Sequence, residues 1–217
     1  MTSATPEAPV QAGEPTPAGD QARKPARSRS VQPVLEKLFE LYPHLFGAEF
    51  LPLKLGIFQE LLAAHPEHFQ RDSLKAALGI HTRSTPYLQC VTAGNKRHDL
   101  QGHAGDDVAP EHVYLSLLEL FRRRQARARE DLRPKFRAQL MAAFEASGLT
   151  RQDYQARVQT NDLEATTLLE EAFAERDQKL AKREALRRTF ESSGKTAEEF
   201  ADMYGLDKRE LFAAIQA

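Results

Sequence analysis

Pro52-Leu53-Lys54-Leu55-Gly56-Ile57-Phe58-Gln59-Glu60-Leu61 is the stretch on which the reading of this chain turns. A lysine and a glycine precede an apolar run whose Leu55, Phe58, Leu61 and Leu62 recur at helical spacing. Upstream, Val34, Leu35, Leu38, Phe39 and Leu41 predict another amphipathic helix, ended by Pro43 in Tyr42-Pro43-His44-Leu45-Phe46. Downstream, Asp72-Ser73 open a third helix with Leu74, Ala77 and Leu78 towards the core and Gly79 as its C-terminal stop. Two further blocks follow, His81-Thr82-Arg83-Ser84-Thr85-Pro86-Tyr87-Leu88 and Asn95-Lys96-Arg97-His98-Asp99-Leu100-Gln101-Gly102. Residues 96–100, with Gly102 and Gly105, predict a small β-hairpin turning back through Asp107-Val108. Pro110 opens a long helix through Val113, Leu117, Leu118 and Phe121 that heads into a run of arginines.

The 217 residues are 41% hydrophobic, enough for a real core and one domain with an appendage, or two small domains. No apolar run approaches the roughly eighteen residues that span a bilayer, and the N-terminal composition does not read as a secretory signal. A cytoplasmic location and no membrane contact are expected. The single cysteine, Cys90, reads as a small buried apolar residue without a disulfide partner. No Cys/His cluster has zinc-ligand spacing, so neither metal nor cofactor is expected. His44, His81 and His98 read as structural or polar surface groups, and no nucleophile, base and orienting third group come together, so the chain is not expected to be an enzyme.

Net charge is -1, which speaks against nucleic acid until the distribution is considered. Residues 122–137 hold eight lysines and arginines against Glu130 and Asp131, a local surplus of six. Residues 138–217 hold eleven basic and fifteen acidic side chains, a deficit of four. A basic block therefore lies beside an acidic tail.

Taken in order and with their spacers, the three blocks and the Tyr42-Pro43-His44 segment resemble the FinO/ProQ family of bacterial RNA-binding proteins and RNA chaperones. The likeness covers roughly residues 34–121, and Pro-Leu-Lys-x-Gly-Ile-Phe is its most specific part. It implies a mainly α fold: a compact FinO/ProQ-like helical domain with one small β-hairpin, followed by an α-helical C-terminal extension. The expected layout is a disordered arm over 1–30, an RNA-binding domain over 31–122, a basic helical linker over 123–137 and a helical repeat or interaction region over 138–217. The implied function is binding of hairpin RNAs with single-stranded, usually U-rich 3′ tails in small RNAs and mRNAs. Protection or annealing of small regulatory RNAs, and thus post-transcriptional regulation, would follow.

Thr85-Pro86 reads as an N-cap followed by proline at the first helical position, which would leave the amides at Tyr87 and Leu88 free for an anion. The residue pattern alone is equally that of an ordinary capped helix. The resemblance implies instead a pocket for an RNA 3′ end, with Tyr87 stacking or donating a hydrogen bond and Lys54 reaching a phosphate. Lys75, Thr82, Arg83, Ser84, Thr85, Lys96 and Arg97 complete the expected RNA-binding set. Arg122, Arg123, Arg124, Arg127 and Arg129 are an auxiliary basic surface or a solvated helix face. The chain departs from the family at Gly79, where several members carry a basic residue, and at Thr85-Pro86, where they carry an aromatic-basic pair.

Phe144-Glu145-Ala146-Ser147-Gly148-Leu149-Thr150 recurs 46 residues later as Phe190-Glu191-Ser192-Ser193-Gly194-Lys195-Thr196. Each copy predicts helix, glycine stop, threonine cap and second helix. Self-association or a protein partner is expected through 138–217. The alternative is a DNA-binding transcriptional regulator, because residues 196–211 look like a helix-turn-helix, although the second helix is poor in Arg, Asn and Gln.

Overall fold

The computed structural model describes residues 27–47 and 49–215. The expected disordered arm and its basic end lie outside the described residues up to 26; residues 27–30 form the first turn of a helix. The elements are α1 (Arg27–Leu41), α2 (Pro43–Phe46), α3 (Ile57–Ala64), α4 (Arg71–Thr82), α5 (Thr85–Thr92), α6 (Pro110–Gln125), α7 (Arg133–Ala146), α8 (Arg151–Arg157), α9 (Leu163–Ser193), α10 (Ala197–Tyr204) and α11 (Lys208–Ile215).

Three apolar clusters hold these helices. The first joins α1 to α5 around Leu38, Leu45, Phe46, Leu61, Leu74 and Ala77, none measurably exposed. The second gathers Tyr114, Leu117 and Phe121 of α6 with Phe136, Leu140, Tyr154 and Phe173 of α7 to α9. The third is small: Phe200, Ala201 and Leu211, backed by Leu186 and Phe190 of α9. Val113 of α6 packs against both larger clusters, so this helix joins the N-terminal half to the C-terminal extension.

The internal repeat is present in three dimensions. Gly148 and Gly194 both adopt positive φ, and Thr150 and Thr196 both cap the next helix. Phe144 meets Tyr154 edge-on at 5.2 Å, as Phe190 meets Phe200 at 5.4 Å. In the first copy Phe173 closes the aromatic cluster at 5.0 Å from Phe144, whereas in the second the ring next to Phe200 is Tyr204, half-exposed, at 4.6 Å.

Four local expectations are corrected. The β-hairpin is absent: among the described residues there is no strand, only single bridges from His98 to Leu53 and to Ala104. Arg97 does donate to the Asp106 carbonyl at 2.8 Å and accept from the Gly105 amide at 2.7 Å. His98 gives its amide to the Pro52 carbonyl at 2.7 Å and accepts from the Lys54 amide at 2.9 Å, but each pairing stays a single bridge. The turn is shaped instead by Asp99, whose carboxylate accepts from the Gln101 and His103 amides, with Gly102 at φ +82°. A Cβ on Gly102 would also sit 2.9 Å from the His44 ring.

Gly79 does not stop α4, which continues to Thr82 because Leu78 and His81 keep the buried face running; the Arg83 guanidinium occupies the space beside Gly79. Leu55 is outside α3 and 67% exposed, since Gly56 at φ +87° is the residue that begins that helix. Finally, α6 takes only Arg122, Arg123 and Arg124 from the arginine run and ends at Gln125.

His81 is enclosed by Phe46, Phe50 and Tyr87, with ring centroids 4.7, 4.9 and 5.3 Å away, and its Nε2 has no partner. Burial pushes its pKa down from the usual 6.5 to about 4. An imidazole that titrates lower folded than unfolded leaves stability intact above about pH 6.5 and erodes it as pH falls towards 4. At about 1.4 kcal/mol per pH unit, the loss is on the order of 3 kcal/mol. Urea unfolding of wild type and His81→Phe across that window checks this. The difference between their curves should slope only between the two values, and parallel curves would refute it.

Candidate nucleic-acid interface

Two backbone-directed side chains fix the signature segment 52–54. Tyr87, buried in the first cluster, accepts a hydrogen bond from the Leu53 amide at 3.0 Å. Arg97, 8% exposed, donates to the Leu53 carbonyl at 2.8 Å and to His112 Nδ1 at 3.1 Å. Both polar groups of one buried residue are thereby satisfied by side chains more than thirty positions downstream. Lys54, the next residue, emerges half-exposed from this clamp and pairs with Glu60 at 2.6 Å, a contact that raises its pKa.

The start of α5 differs from the arrangement expected. Ser84, rather than Thr85, is the N-cap, and its hydroxyl accepts from the Tyr87 amide at 3.3 Å. Leu88 donates to the Ser84 carbonyl at 3.1 Å, and Pro86 has no N–H. An open row of amides is therefore absent, and the Thr85 N–H is the one donor of this turn left without an intrahelical or capping partner. Ser84 and Thr85 are both good caps in sequence; position 84 prevails because its hydroxyl reaches the third amide of the helix.

The turn nevertheless adjoins the arginine run. Arg123 donates to the Thr85 hydroxyl at 3.2 Å while pairing with Glu119 at 2.8 Å. Thr85, Arg123, Arg124 and Arg127, with Leu120 and Leu132 beneath, line an open cleft of about 370 Å³. Arg124 and Arg127 are exposed and make no ion pair among the described residues. Glu130 is the one acidic group on the rim.

The remaining predicted residues divide. Arg83, exposed, lies in the turn two residues before Thr85, and Lys75 is exposed on α4. Thr82 donates to the Leu78 carbonyl at 2.8 Å and is committed to its own helix. Lys96 is exposed, 3.8 Å from Asp107. Arg129 is exposed in the turn after α6. Arg122 faces away from the cleft, held by Asp162 and Glu164 of the extension. Sequence reasoning missed the Arg123 to Thr85 link, which spans 38 positions. Its only trace was the local charge surplus.

The ProQ/FINO family model matches residues 28–133. An RNA chaperone ProQ of Shewanella pealeana is 39% identical over 84 residues, and one of Shewanella frigidimarina is 34% identical over 125. These matches cover 37% and 55% of this chain. The chain spans 40% and 62% of the length of those relatives, in each case less than two thirds. Among solved structures, a FinO-like RNA chaperone of Neisseria meningitidis is 28% identical, covering 41% of this chain and 92% of that one, with a TM-score of 0.37. A ProQ homolog of Legionella pneumophila is 25% identical, covering 54% and 99%, with the same TM-score. The matched region takes in the Pro52–Leu61 block, the Ser84 turn and the first arginines of the cleft. Residues 28–133 are thus the part of the chain that matches the ProQ/FinO family.

Proposed function

We propose that the chain binds structured RNA, taking hairpins with single-stranded 3′ tails and so protecting small regulatory RNAs or annealing them to their targets. The observation that carries this reading is the cleft itself. Two guanidinium groups without acidic partners among the described residues, Arg124 and Arg127, line the same cleft as Thr85. Guanidinium groups favour phosphate because their planar donor fork matches two oxygens at once. A tail nucleotide entering the cleft would meet Thr85, while the duplex backbone would track Arg83, Lys54, Lys75 and Lys96. A-form duplexes hide their base edges in a deep groove, so terminus and backbone are what such a surface can read. Tyr87 and Arg97 act in this account by positioning Lys54 rather than by touching RNA. Exposed charges of the same sign also suit bringing two RNA strands together, since each is screened while both are bound.

The test is a terminator-type hairpin with a single-stranded 3′ tail against the same hairpin with the tail removed. Binding of the tailless RNA is expected to be roughly tenfold weaker, the worth of one charge-assisted hydrogen bond. Equal affinities would remove the terminus from the proposal and leave only backbone binding. No helix among the described residues is long and apolar enough to cross a membrane.

A further inference from the structure

The loop between α3 and α4 gathers His65, Glu67 and His68 on one side of a tight turn. Their ligand-type atoms, one from each residue, all lie within 4.8 Å of one another. His65 Nδ1 is 3.6 Å and His68 Nε2 3.4 Å from the same Glu67 oxygen. In a tetrahedral site with metal-ligand bonds of about 2.0–2.1 Å, adjacent donor atoms stand roughly 3.4 Å apart. The two measured separations match that edge.

The turn is built rather than loose. His65 caps α3 through its amide on the Leu61 carbonyl, and its own carbonyl accepts from both the His68 and Phe69 amides. Phe69, 3% exposed, anchors the turn in the first apolar cluster and meets the His65 ring edge-on at 5.9 Å. The second nitrogen of His65 is also engaged: Nε2 lies 2.8 Å from the Tyr42 hydroxyl. With Nδ1 on a metal, Nε2 must carry the hydrogen and donate it to the Tyr42 oxygen, the outer contact that ligating histidines regularly make.

We propose that His65, Glu67 and His68 bind one divalent transition-metal ion of the zinc, cobalt or nickel type, with Tyr42 orienting His65 and solvent completing the shell. Two imidazoles and a carboxylate select this class over magnesium or calcium, which take all-oxygen shells. The arrangement lies outside Cys/His spacing patterns because one donor is a carboxylate and the outer partner lies 23 residues upstream. The site is independent of the proposed RNA cleft, since none of its residues lines that cleft.

Titration of the chelator-treated full chain with zinc chloride alone, followed by calorimetry near neutral pH, tests this. One zinc per chain is expected. His68→Ala, at an exposed position that should not disturb folding, should abolish that uptake. Tyr42→Phe keeps every ligand but removes the outer acceptor, and should weaken binding about tenfold. As a second readout, cobalt bound to wild type should give visible d–d bands that zinc displaces. No saturable zinc uptake by wild type, or unchanged uptake by His68→Ala, overturns the site.

Discussion

Replacing Arg124 and Arg127 together with alanine is expected to weaken hairpin RNA binding roughly 10- to 100-fold while leaving the unfolding free energy within about 0.5 kcal/mol of wild type. Both side chains are exposed and carry no intramolecular ion pair among the described residues, so folding loses little with them. Each neutralised phosphate contact releases close to one counterion, so the slope of log affinity against log salt should flatten by nearly two. Titrations at several salt concentrations read both quantities. An unchanged affinity with an unchanged slope would show that RNA does not use the cleft. Arg122→Ala is the matched control. It breaks the contacts with Asp162 and Glu164, so its cost should fall on stability, about 1 kcal/mol or less for so exposed a pair, with little change in the salt slope.

That contrast could not be read from composition. Arg122, Arg123 and Arg124 are consecutive, yet helical spacing of about 100° per residue sends them to different surroundings: one to the extension, one to Thr85 and Glu119, one to solvent. The helical faces, by comparison, were legible. Leu38, Leu74, Ala77, Leu117, Leu118 and Phe121 were expected to face inward and are buried, as a repeating apolar face requires, whereas Phe39, expected on the same face as Leu38, is 42% exposed. The features that misled were those set by distant partners. The 96–108 segment forms single bridges in place of a hairpin, and His98 also pairs with residues more than forty positions upstream. Gly79 lost its stop role because Leu78 and His81 carry the buried face on to Thr82. The expected socket lost to competition between adjacent hydroxyls at Ser84 and Thr85, a choice of one position that local propensity does not resolve.

Tyr87→Ala should be the most damaging single change in the family domain. It removes a ring 7% exposed, at a cost of about 3–5 kcal/mol for the cavity, and leaves the Leu53 amide buried without an acceptor. The more informative variant is Tyr87→Phe. It keeps the ring, so its loss should be confined to the orphaned amide, about 1–3 kcal/mol in urea unfolding. A tyrosine that served RNA by stacking would pass this test with stability unchanged, because its hydroxyl would have had no intramolecular duty. The structure gives that hydroxyl such a duty, and Lys54 follows immediately on the residue it holds. Tyr87→Phe should therefore lose stability first, with RNA binding falling only as far as Lys54 and its neighbours loosen. An unfolding curve superimposable on wild type, combined with weakened RNA binding, would reverse the assignment and make Tyr87 a direct contact.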